Sequence, residues 1–232
     1  MEMTVPFEER GTGPALVSVK SDTPPRGARQ RQRTRGILLA AGEQLFATRS
    51  VDGVTVDQIV EAAEVAKGSF YNHFEDKEAF ANAVFEIVQG DIEFHVAAAN
   101  QNITDPATRA MRAFCAVMLY ARKHPERLQA TLSLAARRAT PADPLNAGLV
   151  ADIAHGLERG QFRDIDIDMA IVVFLGLSRA GIAQAMSPHC AHPPRAISEA
   201  VGAALLRGLG MQYDDAGLLA RKVAEDMLGD LL

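Results

Sequence analysis

The stretch TVDQIVEAAEVAKGSFYNHFEDKEAF, residues 55–80, predicts two short helices joined by a turn. Thr55 and Gln58 fit a capping box, in which the threonine hydroxyl accepts from an amide of the first helical turn and the glutamine side chain reaches back. Phe70 and Phe74 lie four residues apart, so they share one face of the second helix. The pair of helices matches a helix-turn-helix in size and spacing. The first of them has an apolar stripe made of Val56, Ile59, Val60 and Ala63.

The outer face of the second helix carries no acid between Val65 and Phe74, although the chain has a formal net charge of −5. Its small residues would let the helix approach a phosphate or a base edge, and its larger polar residues offer charge and hydrogen bonds. The alternative is an ordinary surface helix, because such hairpins are common in all-α proteins that bind nothing. The absence of acid favours DNA binding. The residues concerned are Lys67, Gly68, Ser69, Tyr71, Asn72 and His73.

A run of five arginines without any acid precedes these helices, between Arg26 and Arg35. Taken alone, such a run is most often a solvated tail. Beside an acid-free helix it favours electrostatic contact with phosphates. Residues 1–28 contain four prolines and three glycines and predict a disordered leader. A first helix is expected from about Gln30 to Thr48.

The segment 55–80 resembles the helix-turn-helix signature of the TetR (tetracycline-repressor-like) transcriptional regulators. The resemblance includes RTRGILLAAGEQLFATRSVDGV (33–54), the family's usual first helix, the G-S-F-Y-x-x-F core, and the phrase GLERGQF (156–162). It implies that the outer face of the third helix meets an operator and that Thr55 and Lys77 contact phosphate. The DNA-contacting residues predicted in this way are Arg33, Thr55, Lys67, Gly68, Ser69, Tyr71, Asn72, His73 and Lys77.

Two departures from the family pattern affect the head. Glu64 occupies the inter-helix turn where most relatives have glycine, and a left-handed conformation there would cost a non-glycine residue roughly 1 kcal/mol or more. The leader is also longer than usual. Its arginines are predicted to follow the minor groove as a flexible arm.

Beyond Phe80 nearly all of the chain has helical periodicity, interrupted by prolines and glycines. The predicted fold class is therefore all-α. We expect an N-terminal three-helix, helix-turn-helix DNA-binding domain (29–80) and a C-terminal helical ligand-binding and dimerisation domain (81–232). Candidate helices span about 78–100, 106–122, 125–138, 145–159, 166–186, 194–210 and 214–230.

Helices 166–186 and 194–210 are the most apolar in the chain. In a monomer their stripes would be ordinary core. The resemblance implies instead a four-helix dimer interface, and a twofold protein with two recognition helices about 34–36 Å apart requires a palindromic operator. The predicted interface residues are Ile171, Phe174, Leu175, Ser178, Ile182, Ile197, Val201 and Leu205.

The middle of the C-terminal domain is expected to hold a small-molecule effector, which would favour dimers whose heads are wrongly spaced for the operator. Few charges fall inside these helices, which indicates an apolar effector. Met and aromatic residues at helical spacing are also typical of ordinary core. The predicted lining residues are Phe94, Met111, Phe114, Met118, Phe162 and Met169.

Two cysteines and the absence of a basic start followed by an apolar run predict a cytoplasmic protein. The longest aliphatic run, MAIVVFLGL (169–177), is too short to cross a bilayer, so it predicts a buried helix and no membrane contact. Catalytic motifs such as G-x-S-x-G, H-E-x-x-H, the P-loop and the Rossmann glycines are missing. The loop residues His189, Cys190 and His192 lack a second ligand cluster, so no metal and no cofactor are predicted. A helical interaction module without DNA binding, or a helical enzyme, are the alternatives.

Overall fold

A computed structural model describes residues 26–135 and 146–229 of the chain. All regular structure in these two ranges is helical, which confirms the all-α prediction. The ten helices found there are α1 (Arg26–Thr48), α2 (Val56–Ala62), α3 (Lys67–Tyr71), α4 (Lys77–Ala99), α5 (Pro106–Lys123), α6 (Pro125–Ala135), α7 (Ala147–Glu158), α8 (Ile167–Met186), α9 (Pro194–Gly208) and α10 (Tyr213–Leu228).

Local capping chemistry determines where several helices begin. The predicted capping box is present at Thr55, whose Oγ1 accepts from the Gln58 amide at 3.2 Å while the Thr55 amide donates to Gln58 Oε1 at 3.0 Å. Aspartates cap α4, α5 and α8 in the same manner, through side chains that accept from the third helical amide. These caps are Asp76, Asp105 and Asp166.

The first helix differs from its predicted form. It begins at Arg26, so all five arginines up to Arg35 belong to a regular helix. The flexible arm predicted for the leader (1–28) is therefore wrong at Arg26, whose backbone belongs to this regular helix. The rest of the predicted leader, residues 1–25, lies outside the described residues. So does the last part of the helix predicted over 125–138.

The apolar side chains form two clusters. The head cluster is built from α1–α3 and the first half of α4, and its largest fully buried members are Phe46, Phe70 and Phe80. The body cluster contains residues of α4–α10. The predicted domain boundary at residue 80 lies inside α4, whose first turns pack in the head and whose later turns pack in the body.

Helix α6 contributes to both clusters. Its Ala130 and Leu134 are buried among head residues, whereas Leu128 is buried among body residues. Head and body therefore share one helix in addition to α4.

The phrase GLERGQF ends α7 with a tight turn. Gly156 lies against the Phe162 ring so closely that any side chain at this position would collide with it, and Gly160 adopts a φ of 66°. The turn folds the fully buried Phe162 back onto the end of α7. The close approach of the ring explains the glycine at position 156, and the backbone conformation explains the glycine at position 160.

Helix α8 is long and apolar enough to cross a membrane by length and composition, the one such helix within the described part of the chain. Only 33% of its most apolar 18 residues are buried inside the chain. The prediction that its aliphatic run is simply buried therefore holds for one face. The opposite face is apolar and exposed.

Candidate functional site

Helix α3 is a short element held by an aromatic cluster. Phe70 is fully buried, and its ring centroid lies 5.6 Å from that of Phe74 and 5.3 Å from that of Phe80. Phe74 and Phe80 meet edge to face at 4.9 Å. Such ring pairs add stabilisation beyond the area they bury. The five-residue helix is thus fixed from behind, and its other face is left to solvent.

The six residues predicted on that outer face lie at the surface. Lys67, Gly68, Tyr71 and Asn72 are exposed, and the remaining two, Ser69 and His73, are half-buried. A side chain at Gly68 would meet no atom within 4 Å, so the start of α3 is open to any approaching group. Their contact with DNA remains a prediction, but their placement suits it.

Two arginines of α1 extend this surface. Arg31 Nη2 donates to the Asn72 carbonyl at 3.1 Å, and the Arg35 guanidinium lies 5.4 Å from the centre of the Phe74 ring. A shallow depression follows the seam between the two helices. It is lined by Gly27, Gln30, Arg31, Thr34, Ser69, Asn72 and His73.

The sequence predicts phosphate contact for the arginine run as a whole, but of these arginines only Arg33 is named among the predicted DNA-contacting residues. Arg33 lies at the surface of α1. The four-residue spacing of Arg31 and Arg35 places both on one helix face, and this spacing is the signal that could have identified them.

His73 is held in its neutral form near pH 7. Partial burial lowers its pKa below the ordinary value, and the positive charges of Arg31 and Arg35 lower it further. A neutral imidazole has one donor nitrogen and one acceptor nitrogen. His73 can therefore offer either function to a base edge.

The remaining predicted contacts are engaged within the head. Lys67 Nζ lies 2.7 Å from Asp57, and hydrogen bonding to that carboxylate raises the lysine pKa. Lys77 Nζ donates to the Val54 carbonyl at 3.0 Å, and the Thr55 hydroxyl serves as the α2 cap. Lys67 and Lys77 each keep two further N–H donors, and the Thr55 hydroxyl keeps its own O–H. The Lys67–Asp57 pair is exposed, so exchanging it for a phosphate costs little.

The turn before α3 is left-handed at Glu64. Its φ is 52°, the region that glycine occupies without penalty. The backbone thus adopts a glycine-type conformation with a glutamate in place. Glu64, which stands where most relatives have glycine, is therefore a point of local strain.

Glu64→Gly is expected to stabilise the protein. Relief of the left-handed strain exceeds the added flexibility of the unfolded chain, giving about 0.5–1 kcal/mol in the free energy of unfolding. For a chain of this size the Tm would rise by roughly 1–4 °C in a thermal melt. Glu61→Gly, at an exposed position within α2, is the control and should lower stability by about 0.5–1 kcal/mol. A lower Tm for Glu64→Gly would contradict this explanation.

A partly enclosed cavity of about 370 Å³ lies among α4–α8. Of the six predicted lining residues only Phe114 borders it. The other five lie away from this cavity, and their exposure or burial explains why. Phe94 and Met169 point to solvent, with 69% and 50% of their surface exposed. The other three are buried within the body cluster: Met111, Met118 and Phe162.

The predicted dimer-interface residues also need correction. Six of the eight are buried within the single chain, so their side chains cannot form an outer surface: Ile171, Phe174, Ser178, Ile182, Ile197 and Leu205. Leu175 and Val201 are half-buried. Four members of the set border the cavity: Phe174, Leu175, Ser178 and Ile182. The apolar stripe predicted on α8 therefore faces the interior of the subunit.

The outward faces of α8 and α9 carry a different set. On α8 it includes Met169 and Val172, which are 50% and 47% exposed. On α9 small residues recur every four positions, so that a flat, largely apolar surface lies open. Its small members on α9 are Ala196, Ala200, Ala204 and Gly208.

Helix α6 links the cavity to the head. Leu128, Thr131 and Leu132 border the cavity, while Ala130 and Leu134 pack in the head cluster. Helix α6 therefore contributes side chains both to the cavity wall and to the head cluster.

An ionic cluster fastens the start of α6. Arg127 Nε lies 3.0 Å from Glu43 of α1, and its Nη1 lies 2.5 Å from Asp91 of α4. Tyr120 donates to the same Asp91 carboxylate at 2.9 Å. Burial raises the pKa of Asp91, but the hydrogen bond from Tyr120 and the charge of Arg127 outweigh it and lower the pKa overall. Asp91 is therefore fully charged at neutral pH.

Ranges 26–135 and 146–229 hold no cluster of side chains suited to a metal ion. No three His, Cys, Asp or Glu side chains there could hold a metal ion. Burial raises the pKa of the Cys115 thiol to about 12, so the reactive thiolate is absent at neutral pH.

Comparison with known proteins identifies relatives of the head. The family profile described as "Bacterial regulatory proteins, tetR family" matches residues 38–84. The HTH-type transcriptional repressor DhaR of Mycobacterium sp. (strain GP1) is 36% identical over 89 residues, which are 38% of this chain and 45% of that repressor. The HTH-type transcriptional repressor NemR of Escherichia coli (strain K12) is 43% identical over 72 residues, 31% of this chain and 33% of NemR. The matches thus span less than half of either repressor.

Solved structures extend the similarity to most of the chain. RolR in complex with resorcinol is 27% identical, with a TM-score of 0.58 over 83% of this chain and 95% of RolR. A gamma-butyrolactone receptor (ArpA-like protein) is similar in fold, with 21% identity and a TM-score of 0.59 over 84% of this chain and 99% of that one. DhaR and NemR are named as transcriptional repressors, and neither is named as an enzyme.

Proposed function

Because the chain belongs to the TetR family of transcriptional regulators, we propose that it is a repressor that binds a palindromic operator as a homodimer and responds to a small molecule. The observation that carries the proposal is the exposed, acid-free face of α3 beside Arg31 and Arg35 of α1. The aromatic cluster holds this face rigidly, and a preformed surface loses little entropy on binding. Side chains of α3 would read base edges while the arginines and lysines bind phosphates.

The proposal is tested by mobility shift on the DNA flanking the protein's own gene. Binding should require a specific sequence and weaken with salt, with a slope in log affinity against log salt of about −0.9 for each phosphate contacted. An unrelated duplex of equal length and base composition is the control. Equal binding to both duplexes, or none to either, would contradict operator recognition and favour an interaction module.

The homodimer is proposed to form through the outward faces of α8 and α9. Support comes from the apolar side of α8, since most of its most apolar 18 residues are not buried inside the chain. The small side chains of α9 would let two helices approach closely. Two heads about 34–36 Å apart would then meet successive major grooves, and a twofold dimer matches a palindrome.

The effector is proposed to bind in the cavity and act through α6. A molecule pressing on Leu128, Thr131 or Leu132 would shift the helix whose Ala130 and Leu134 belong to the head core. The Arg127 cluster would carry the same displacement to α1 through Glu43. Differential affinity for two head arrangements is what such regulation requires. The structure of RolR with resorcinol supports a ligand of this size range.

A cytoplasmic location is part of the same proposal, because the operator is there. The proposed protein needs no metal or organic cofactor, since binding energy alone would move it between its two states.

A further inference from the structure

We propose that the cavity selects an uncharged, hydroxylated aromatic molecule, with Asn100 and Ser178 as the residues that recognise its polar groups. The inference rests on the proposed function only for the effect of the ligand on DNA binding. The choice of ligand follows from four features of the cavity wall.

The first feature is a buried acceptor without a partner. Asn100 ends α4 and is 3% exposed, and its Nδ2 donates to the Arg109 carbonyl at 3.2 Å. A carbonyl only accepts, so the amide cannot be turned over without losing this bond. Its Oδ1 is therefore fixed as an acceptor, and it has no hydrogen-bond partner among the described residues. A ligand O–H would satisfy it.

The second feature is a buried hydroxyl on the opposite helix. Ser178 lies in the middle of α8, is 8% exposed, and borders the same cavity as Asn100. A helical serine commonly bonds back to a carbonyl one turn earlier. Here Oγ has no hydrogen-bond partner in the described parts of the chain. It is available to donate to, or accept from, a second polar group of the ligand.

The third feature is the balance of charge. The ionisable residues among the described lining residues are two acids and two bases: Glu93, Asp152, Arg109 and Arg179. Arg109 Nε lies 2.6 Å from Asp152. The formal charges cancel. A charged ligand would enter this largely apolar space without a net counter-charge from the wall, which is unfavourable. A neutral hydroxyl is preferred to a carboxylate.

The fourth feature is the presence of two aromatic rings. Phe114 of α5 and Phe174 of α8 both border the cavity, and much of the remaining wall is aliphatic. Aromatic rings favour another ring in offset or edge-to-face contact. A volume of about 370 Å³ lies within the range typical of small-molecule sites. A hydroxylated aromatic ring combines the polar and aromatic groups that these four side chains favour.

Calorimetry and thermal shift on the full chain without DNA test the inference. Resorcinol is the probe, m-xylene replaces its hydroxyls with methyl groups, benzoate adds a charge, and cyclohexanol removes the aromatic ring. We expect resorcinol to bind at least roughly tenfold more tightly than each of the other three. The inference is overturned if resorcinol does not bind, or if any of the other three binds as tightly.

Ser178→Ala provides the matching variant. It removes only a hydroxyl that has no partner among the described residues, so the free protein should stay folded while resorcinol affinity falls about tenfold. Ser198→Ala is its control, because Ser198 is fully buried, also has no partner for Oγ within the described ranges, and does not border the cavity. Equal resorcinol affinity in both variants would refute the role of Ser178. Resorcinol binding that leaves operator affinity unchanged would refute the effector proposal and leave the ligand inference standing.

Discussion

Gly68→Leu is expected to abolish operator binding while the free protein stays folded. The start of α3 has open space at this position, since an added Cβ would meet no atom within 4 Å. Leucine is also a better helix former than glycine. In the complex, however, the added side chain would occupy the gap through which the helix approaches the duplex. We expect affinity to fall by at least about 100-fold, because both half-sites lose their fit and each lost base contact costs about 1–3 kcal/mol.

Gly90→Leu is the matched control for that experiment. Gly90 is an exposed glycine of α4 where an added Cβ would meet no atom within 4 Å, so the same substitution is equally unhindered away from α3. Both variants should keep the wild-type Tm or exceed it. Mobility shift and a thermal melt of each protein are the measurements. Wild-type affinity in Gly68→Leu would show that α3 does not face DNA.

Ala200→Arg is expected to convert the dimer into monomers and to remove operator binding with it. Ala200 lies at the surface in the middle of the small-residue face of α9. In a twofold interface the new guanidinium would lie near its own copy, and burying two like charges without partners is strongly unfavourable. A single head also loses the gain in effective concentration that links two half-sites, a factor on the order of 10²–10⁴.

Light scattering after size-exclusion chromatography measures the oligomeric state, and mobility shift measures the operator affinity. Ala98→Arg makes the same change at an exposed position of α4 and should leave both properties unaltered. If Ala200→Arg remains dimeric, the subunits associate through another face. If it is monomeric and still binds the operator tightly, the paired-head mechanism is wrong.

Local chemistry made much of the fold predictable. The Thr55 cap and the proline-led starts of α5 and α9 involve residues within one or two helical turns of each other. Such features are encoded in the adjacent sequence, so the helix boundaries could be assigned closely. The outer face of α3 could be assigned for the same reason, since Phe70 and Phe74 determine which side is buried.

The inward and outward sides of α8 could not be told apart from sequence. Phe174 and Ser178 face the interior, whereas Met169 and Val172 face outward, and both sides are apolar. A helix with two apolar faces gives no periodic signal for which one meets its own subunit. The orientation depends on how α5 and α9 pack against it, which is information held in distant parts of the chain.

The cavity wall could not be predicted from the positions of large side chains. Met111 and Phe162 are buried within the body cluster and do not border the cavity. The cavity wall includes several alanines, at 97, 110 and 113, where side chains stop short of the opposite helix. A cavity forms where side chains of neighbouring helices do not meet. Large residues in the sequence therefore indicate filled core and not the wall of a cavity. Similarly, the Arg31–Asn72 bond joins residues 41 positions apart and has no local signature.

The double use of α6 limits how the protein can diversify. Substitutions at Leu128, Thr131 or Leu132 that adapt the cavity to a new ligand would also shift the packing of Ala130 and Leu134, and so alter repression in the absence of any ligand. Substitutions on α8 have no such side effect, because the described residues of the head cluster include none from α8. Engineering of a new sensor from this chain should therefore begin at α8 and α5 and leave α6 untouched.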